Sequence, residues 1–355
     1  MKEALIEYFK DNNIQSISDT NMTWKELGER YQLSGEAARH HFRNYKKLKL
    51  RSRWQVQTKG GETKWLESYR TAEEPIDFNS LLKAFESCAV TPYTPIVPYN
   101  IKREDITVCH LADKHIGASG TKNNPYSAEE FESRMNYVFN KLIENPSKKL
   151  VITDLGDALD TNGLNSQTVR GGHNLETNMS ATEIFETYLR VHKRFLENLS
   201  NHFKEIEYYH IYRSNHDGNF SFFAAKALQL LMPNIKFTIL EDNLNIVKIG
   251  NFNYVLTHGK DDKHQMKPLP YVLTPVAENF INNFLVQNGI RNARFVKGDL
   301  HRFGITKVAN FTYINCPSLF GSSNYAEHNF TPSAAGFIIE VINGFDIKLM
   351  ECTFY

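Results

Sequence analysis

The hydrophobic pattern divides the chain into three textures. Near the start, Leu5, Ile6 and Phe9 form a short helical stripe over residues 3–10. Thr23 and Glu26 then make a T-x-x-E capping box ahead of Trp24, Leu27 and Tyr31, whose spacing predicts a helix over 24–32. Leu33-Ser34-Gly35 breaks that pattern, and Ala37, Ala38, His41, Phe42 and Tyr45 predict a further helix over 36–47. Residues 51–58 and 63–69 alternate about a Lys59-Gly60-Gly61 turn, with Trp54 and Val56 on one face, as a β-hairpin does. Residues 71–104 differ again: a short helical patch over 78–87 is followed by Pro92, Pro95 and Pro98, the composition of a stiff linker. From Ile106 onward, short apolar runs alternate with helical segments, which predicts an α/β domain over 105–355.

Composition narrows the class. With 355 residues, 41% hydrophobic and 23% charged, the chain is long enough for one large domain and a smaller module. No run approaches the about 20 apolar residues of a membrane span, and the first residues lack a signal-peptide core, so a cytoplasmic protein without membrane contact is expected. Cys88, Cys109, Cys316 and Cys352 show no CxxC spacing, so free thiols are expected.

Charge changes the picture more. The chain sums to +1, yet residues 36–70 alone carry ten Lys or Arg against Glu36, Glu62 and Glu67, a local +7. Arg39, Arg43, Lys46 and Lys47 recur on one side of the second predicted helix, and Arg51, Arg53 and Lys59 follow on the hairpin. Residues 1–70 therefore resemble a winged helix-turn-helix domain, with those seven residues as candidate DNA contacts. A solvated face on an oligomerisation module is the alternative, which leaves a homodimer open.

The chemistry sits where the predicted strands end. Ile106–Leu111 leads to Asp113 and His115; Leu150–Thr153 to Asp157 and Asp160; Ile206–Tyr212 to Asn215, His216 and Asp217; Tyr254–Thr257 to His258; Phe295–Lys297 to Asp299 and His301. Five successive strand ends offering oxygen or imidazole ligands point to metal chemistry at the carboxyl edge of a sheet. His216 follows Asn215 and cannot share its direction, so it is expected to face substrate as general acid or as a charge stabiliser, with Asp217 orienting it or raising its pKa. Asp160 is expected to hold its loop.

This order of D-x-H, G-D-x-x-D, N-H-D, a lone His and G-x-x-H resembles the calcineurin-like metallophosphoesterase superfamily over residues 105–355. The resemblance implies a four-layer α/β/β/α sandwich and two divalent ions on one rim. Asp113, His115, Asp157 and His301 would hold the first ion, and Asp157 would bridge to the second, completed by Asn215, His258 and Asp299. The family usually has histidine where this chain has Asp299, and glycine where it has Ser214. An oxygen ligand at 299 favours manganese, with magnesium as the other option.

The motifs do not name the phosphoester. The string Thr257 to Asp262, with Gly298 to His301, is similar to metallophosphoesterases of bacteriophages and prophages, and more distantly to double-strand-break repair nucleases. Those nucleases carry a C-terminal cap, for which the residues after His301 are expected to leave no room. The leading expectation is a metal-dependent DNA phosphodiesterase, an endo- or exonuclease, positioned on DNA by the N-terminal module. The alternatives are a phosphatase or nucleotide phosphodiesterase whose module only localises it or mediates oligomerisation, and a non-catalytic DNA-binding regulator.

Overall fold

The computed structural model describes residues 2–11, 22–45, 48–57, 63–71, 105–163, 166–323, 327 and 333–354. Lys46, Lys47, Lys59, His328 and residues 72–104 of the expected linker lie outside the described residues, and Arg43, Arg51 and Arg53 are placed by their backbone alone. The chain divides into two compact units, residues 1–75 and 76–355.

In the first unit, helices α1 (Lys2–Asp11), α2 (Trp24–Arg30) and α3 (Gly35–Tyr45) precede an antiparallel ribbon of β1 (Leu48–Gln57) and β2 (Thr63–Thr71). The capping box forms: Thr23 Oγ1 accepts from Glu26 N–H at 3.3 Å, while the Glu26 carboxylate accepts from Thr23 N–H at 2.7 Å. Leu5, Phe9, Leu27, Ala38 and Phe42 close the core. The α2–α3 turn is tight because Gly28 faces Leu33 O and Gly35 N, where a Cβ would come within 2.7–2.8 Å of backbone. Arg39 stands exposed on α3, whose Ala38 and Phe42 are buried.

The second unit is a mixed α/β sandwich. Its six-stranded sheet runs β13-β12-β3-β4-β5-β6, comprising β3 (Ile106–Leu111), β4 (Lys149–Asp154), β5 (Glu205–Ile211), β6 (Lys236–Leu240), β12 (Gly336–Asn343) and β13 (Asp346–Thr353). The five-stranded sheet runs β10-β11-β9-β8-β7, comprising β7 (Asn245–Ile249), β8 (Phe252–Thr257), β9 (Ala293–Lys297), β10 (Gly304–Lys307) and β11 (Phe311–Asn315). Strands β3 to β6 are parallel, and α4 (Ala128–Ile143), α5 (Ala181–Ser200) and α6 (Gly218–Leu231) connect them in turn.

Alternation along the strands builds the layers. Cys109, Leu111, Leu150 and Ile152 point outward and pack with Phe131, Met135, Tyr188, Leu189 and Ala224 of α4, α5 and α6. Val108, Val151 and Ile338 point inward and meet Tyr254, Leu256, Val296 and Ile314 of the other sheet. On the far side, α7 (Pro275–Gln287) covers Val255, Phe295 and Tyr313 with Ile281 and Leu285. Four layers result, helices, sheet, sheet, helix. The last four strands divide between the sheets: β10 and β11 join one, β12 and β13 the other.

Between the sheets lies a buried polar cluster. Glu340 on β12 accepts from Tyr254 Oη at 2.6 Å and from both ends of the Arg294 guanidinium, and His110 Nε2 stands 3.4 Å away. Both Glu340 oxygens thus accept from donors of the other sheet. Among the described residues, no helix is long and apolar enough to cross a membrane, and Cys109, Cys316 and Cys352 are free thiols.

Candidate metal centre

The parallel strands end side by side, so their following loops converge. Beyond the last β3–β4 pair the backbones stay bonded, with Asp113 N–H donating to Gly156 O at 3.1 Å and His115 N–H to Asp157 O at 3.0 Å. Five of the non-glycine residues with left-handed backbone lie here: Asp113 (φ 50°), His115 (44°), Asp157 (46°), Asp299 (74°) and His301 (56°). Each such residue costs about 1–3 kcal/mol and persists only where the surroundings enforce it, as they do at functional sites. Two glycines allow the close approach: a Cβ on Gly298 would meet Asp113 Oδ2 at 2.8 Å, and one on Gly156, at φ 94°, would meet His258 Nδ1 at 3.0 Å.

Four imidazoles share one arrangement. His115 Nδ1 donates to Asp160 Oδ1 (3.0 Å), His216 Nδ1 to the same oxygen (2.8 Å), His258 Nδ1 to Leu155 O (2.9 Å) and His301 Nδ1 to Gly321 O (2.7 Å). Carboxylate and carbonyl oxygens only accept, so these bonds fix a proton on Nδ1 and turn each Nε2 toward the middle of the site. There the Nε2 atoms crowd one another and the oxygens of Asp113, Asp157 and Asn215. His115 Nε2 and His301 Nε2 are 3.1 Å apart; His258 Nε2 is 3.0 Å from Asn215 Oδ1 and 3.2 Å from Asp157 Oδ2. Asp113 Oδ1 lies 3.5 Å from His301 Nε2 and 4.0 Å from His115 Nε2.

The carboxylates are aimed in the same way. Asp157 Oδ1 accepts the His216 backbone N–H at 3.0 Å, leaving Oδ2 to face His258, His216 and His115 at 3.2, 3.8 and 4.0 Å. Asp113 and Asp157 are almost fully buried. Burial alone would raise their pKa values, but His301 and His258 outweigh it at Asp113, and His258 and His216 hold Asp157 well below the usual carboxylate range. Burial disfavours charge on His258 and His216 as well, yet Asp157 more than compensates, lifting them to about 10 and about 9. The centre is a concentration of buried acceptors that calls for positive charge. Its ligand atoms fall into three overlapping groups: Asp113, His115 and His301; His115, Asp157 and His216; Asp113, Asp157 and His258. Mixed imidazole and carboxylate donors fit a divalent transition ion, and the sharing of Asp113 and Asp157 between groups fits two ions side by side.

The expected partner of His216 is corrected. Its Nδ1 bonds Asp160, whereas the Asp217 carboxylate turns away, accepting Ser214 Oγ at 2.5 Å and Leu159 N–H at 2.9 Å. Consecutive residues in a tight loop diverge, so a carboxylate 56 residues away does the orienting while Asp217 acts on the ring only through space. Asp160 thus joins His115 to His216, whose rings meet edge-on 4.5 Å apart. Asp299 contributes its backbone N–H to both Asp113 oxygens, at 3.2 and 3.1 Å, and its carboxylate is in none of the three groups.

Other participants carried no motif. Lys114, between two candidate ligands, is fully buried and ion-paired to Asp154. Asp154 also accepts from His210 Nδ1 at 2.8 Å and Tyr208 Oη at 3.0 Å, and His210 Nε2 reaches Ser221 Oγ on α6 at 2.9 Å. This chain of contacts ties the loop after β3 to the end of β4, to β5 and to α6. Lys297, also fully buried, donates to Gly298 O at 2.9 Å.

No protein-family profile matches the chain. In sequence it is similar to the SPbeta prophage-derived uncharacterized protein YonJ of Bacillus subtilis (strain 168), 22% identical over 284 residues. That match takes in 73% of this chain and 66% of the relative, just under two thirds of its length. Among solved structures, a dimetal phosphatase from Danio rerio superposes with TM-score 0.37 at 8% identity, covering 73% of this chain and 97% of that one. A novel archaeal phosphodiesterase gives TM-score 0.36 at 11% identity, covering 69% and 99%.

Proposed function

We propose that the protein is a two-metal phosphodiesterase acting on DNA. One observation supports the hydrolytic reading above all others: four imidazole Nε2 atoms, each with its Nδ1 bonded to an acceptor, converge with Asp113 and Asp157 on one centre. Asp113, His115 and His301 would hold one ion, and Asp157, His258 and Asn215 the other. A bound pair of divalent ions supplies an activated water and neutralises the non-bridging oxygens of a phosphoryl group. Manganese is the ion of choice, because three imidazoles suit it better than magnesium.

The remaining chemistry belongs to the protein. His216 and His301, about one fifth exposed, are the most accessible of the four imidazoles. With Nδ1–H committed to Asp160, the charged form of His216 would carry its second proton on Nε2. It can hand that proton to a leaving alkoxide, as a general acid does. Asp160 stabilises the charged ring before transfer and fixes its orientation throughout.

The DNA assignment draws on the +7 of residues 36–70 and on Arg39, exposed on α3 in a unit of three helices and a ribbon that we read as a winged helix. Incubating the full chain with Mn2+ and linear or circular DNA, beside a small diester such as bis(4-nitrophenyl) phosphate, tests both parts. Cleavage of DNA is expected. Hydrolysis of the small diester alone would remove DNA as substrate, and no hydrolysis of either would remove the phosphodiesterase reading.

A further inference from the structure

The loop after His258 separates its charges. By sequence, Lys260-Asp261-Asp262-Lys263-His264-Gln265-Met266-Lys267 is close to neutral. In the fold, both carboxylates turn inward to arginines from other elements. Asp261, only 1% exposed, pairs with Arg170 Nη1, and Asp262, 6% exposed, lies 3.4 Å from Arg213 Nε. Lys263 and Lys267 point to solvent and Lys260 is half-buried, and among the described residues none of the three meets a carboxylate. The outward face of the loop is therefore cationic although its composition is not.

The loop is also held rigid. Leu269 N–H donates to Gly259 O at 2.9 Å and closes its base. Inside, the Asp261 carboxylate accepts from the backbone N–H groups of Lys263, Gln265 and Met266 at 3.3, 2.7 and 3.4 Å. Met266 and Leu269 are buried among the side chains under α7. Arg170, which grips Asp261, also donates its backbone N–H to Asn215 O at 3.1 Å, so the loop is fastened to the residue preceding His216. On its other flank, a Cβ on Gly259 would stand 3.6 Å from Asp299 Cβ. A cationic surface fixed beside a phosphodiester-cleaving centre favours an extended polyanion over a mononucleotide, because its lysines can neutralise only phosphates that continue past the scissile one.

We propose that Lys260, Lys263 and Lys267 form a strand-binding ledge that holds the phosphates flanking the cleavage point, so that the substrate is a polynucleotide gripped by the catalytic unit itself. This rests on the phosphodiesterase reading above. The test is the full-length triple variant Lys260→Gln, Lys263→Gln, Lys267→Gln, assayed with Mn2+ on a labelled DNA oligonucleotide over a range of salt, with bis(4-nitrophenyl) phosphate in parallel. KM for the oligonucleotide should rise about tenfold and the log–log salt slope should flatten by about two to three, because each lost phosphate contact removes about 0.9. Wild-type protein inert toward both substrates would sink the phosphodiesterase reading. Wild-type protein active on the diester, with a triple variant whose oligonucleotide KM and salt slope are unchanged, would overturn the ledge. Equal losses of turnover on both substrates would overturn it too, since that is the mark of a damaged site.

Discussion

Two buried charged clusters lie in the same sandwich and are built in opposite ways. Around Glu340, each acceptor meets a donor: Tyr254 Oη, the Arg294 guanidinium and the nearby His110 ring. Around Asp157, four imidazole Nε2 atoms and two carboxylates converge on one centre, and all four rings have their Nδ1–H drawn outward by Asp160, Leu155 O or Gly321 O. Burial does not separate the two. Balance does: the first cluster is complete within the protein, while the second needs cations from outside.

Substitutions should divide along that line. The largest effect is expected from Asp157→Ala, which removes the oxygen shared by two ligand groups; metal binding by calorimetry and all hydrolysis should disappear while the thermal unfolding of the apoprotein persists. His216→Ala should keep the metals and lose about 10²- to 10⁴-fold in turnover, the range of general acid catalysis. Loss of metal in that variant would make His216 a ligand instead. Arg294→Met should do the reverse, leaving metal binding intact but costing about 3–5 kcal/mol in denaturant unfolding, because Glu340 is left charged and buried.

The balanced cluster also has a pH signature. Burial raises the Glu340 carboxyl, but His110 and Arg294 more than offset it, to about 2 from the ordinary 4.5. A depressed folded-state pKa adds stability that is fully present above 4.5 and is lost as pH falls toward 2. Wild-type unfolding free energy should therefore drop across that window, and the Glu340→Gln variant should show a shallower drop. The smallest effect belongs to the N-terminal unit: Arg39→Ala should flatten the salt dependence of DNA binding by about 0.9, one phosphate contact.

Much of this was legible in the sequence for physical reasons. Runs such as Ile106–Leu111 and Leu150–Thr153 announce buried parallel strands, and the site residues cluster at their ends because that edge is where loops converge. The capping box at Thr23 is local and appears as expected. Partnerships between distant loops were not legible. Sequence adjacency suggested Asp217 as the partner of His216, but the bond comes from Asp160 on another strand end. Nor did any spacing signal that Lys114 would be buried against Asp154, or that Asp261 and Asp262 would turn inward while the lysines beside them stay outside. A one-dimensional pattern records which charges are present; the tertiary fold decides which of them cancel.

The demand for cations at the Asp157 centre can be measured directly by titrating the metal-free protein with Mn2+ in a calorimeter, in buffers of different protonation enthalpy. Two ions should bind per chain and release protons, because the ligand His258, held near 10 by Asp157 without metal, gives up its Nε2 proton on coordination. Affinity should accordingly strengthen as pH rises. An absence of saturable binding, or binding with no proton release at neutral pH, would contradict the reading of this cluster as a metal centre.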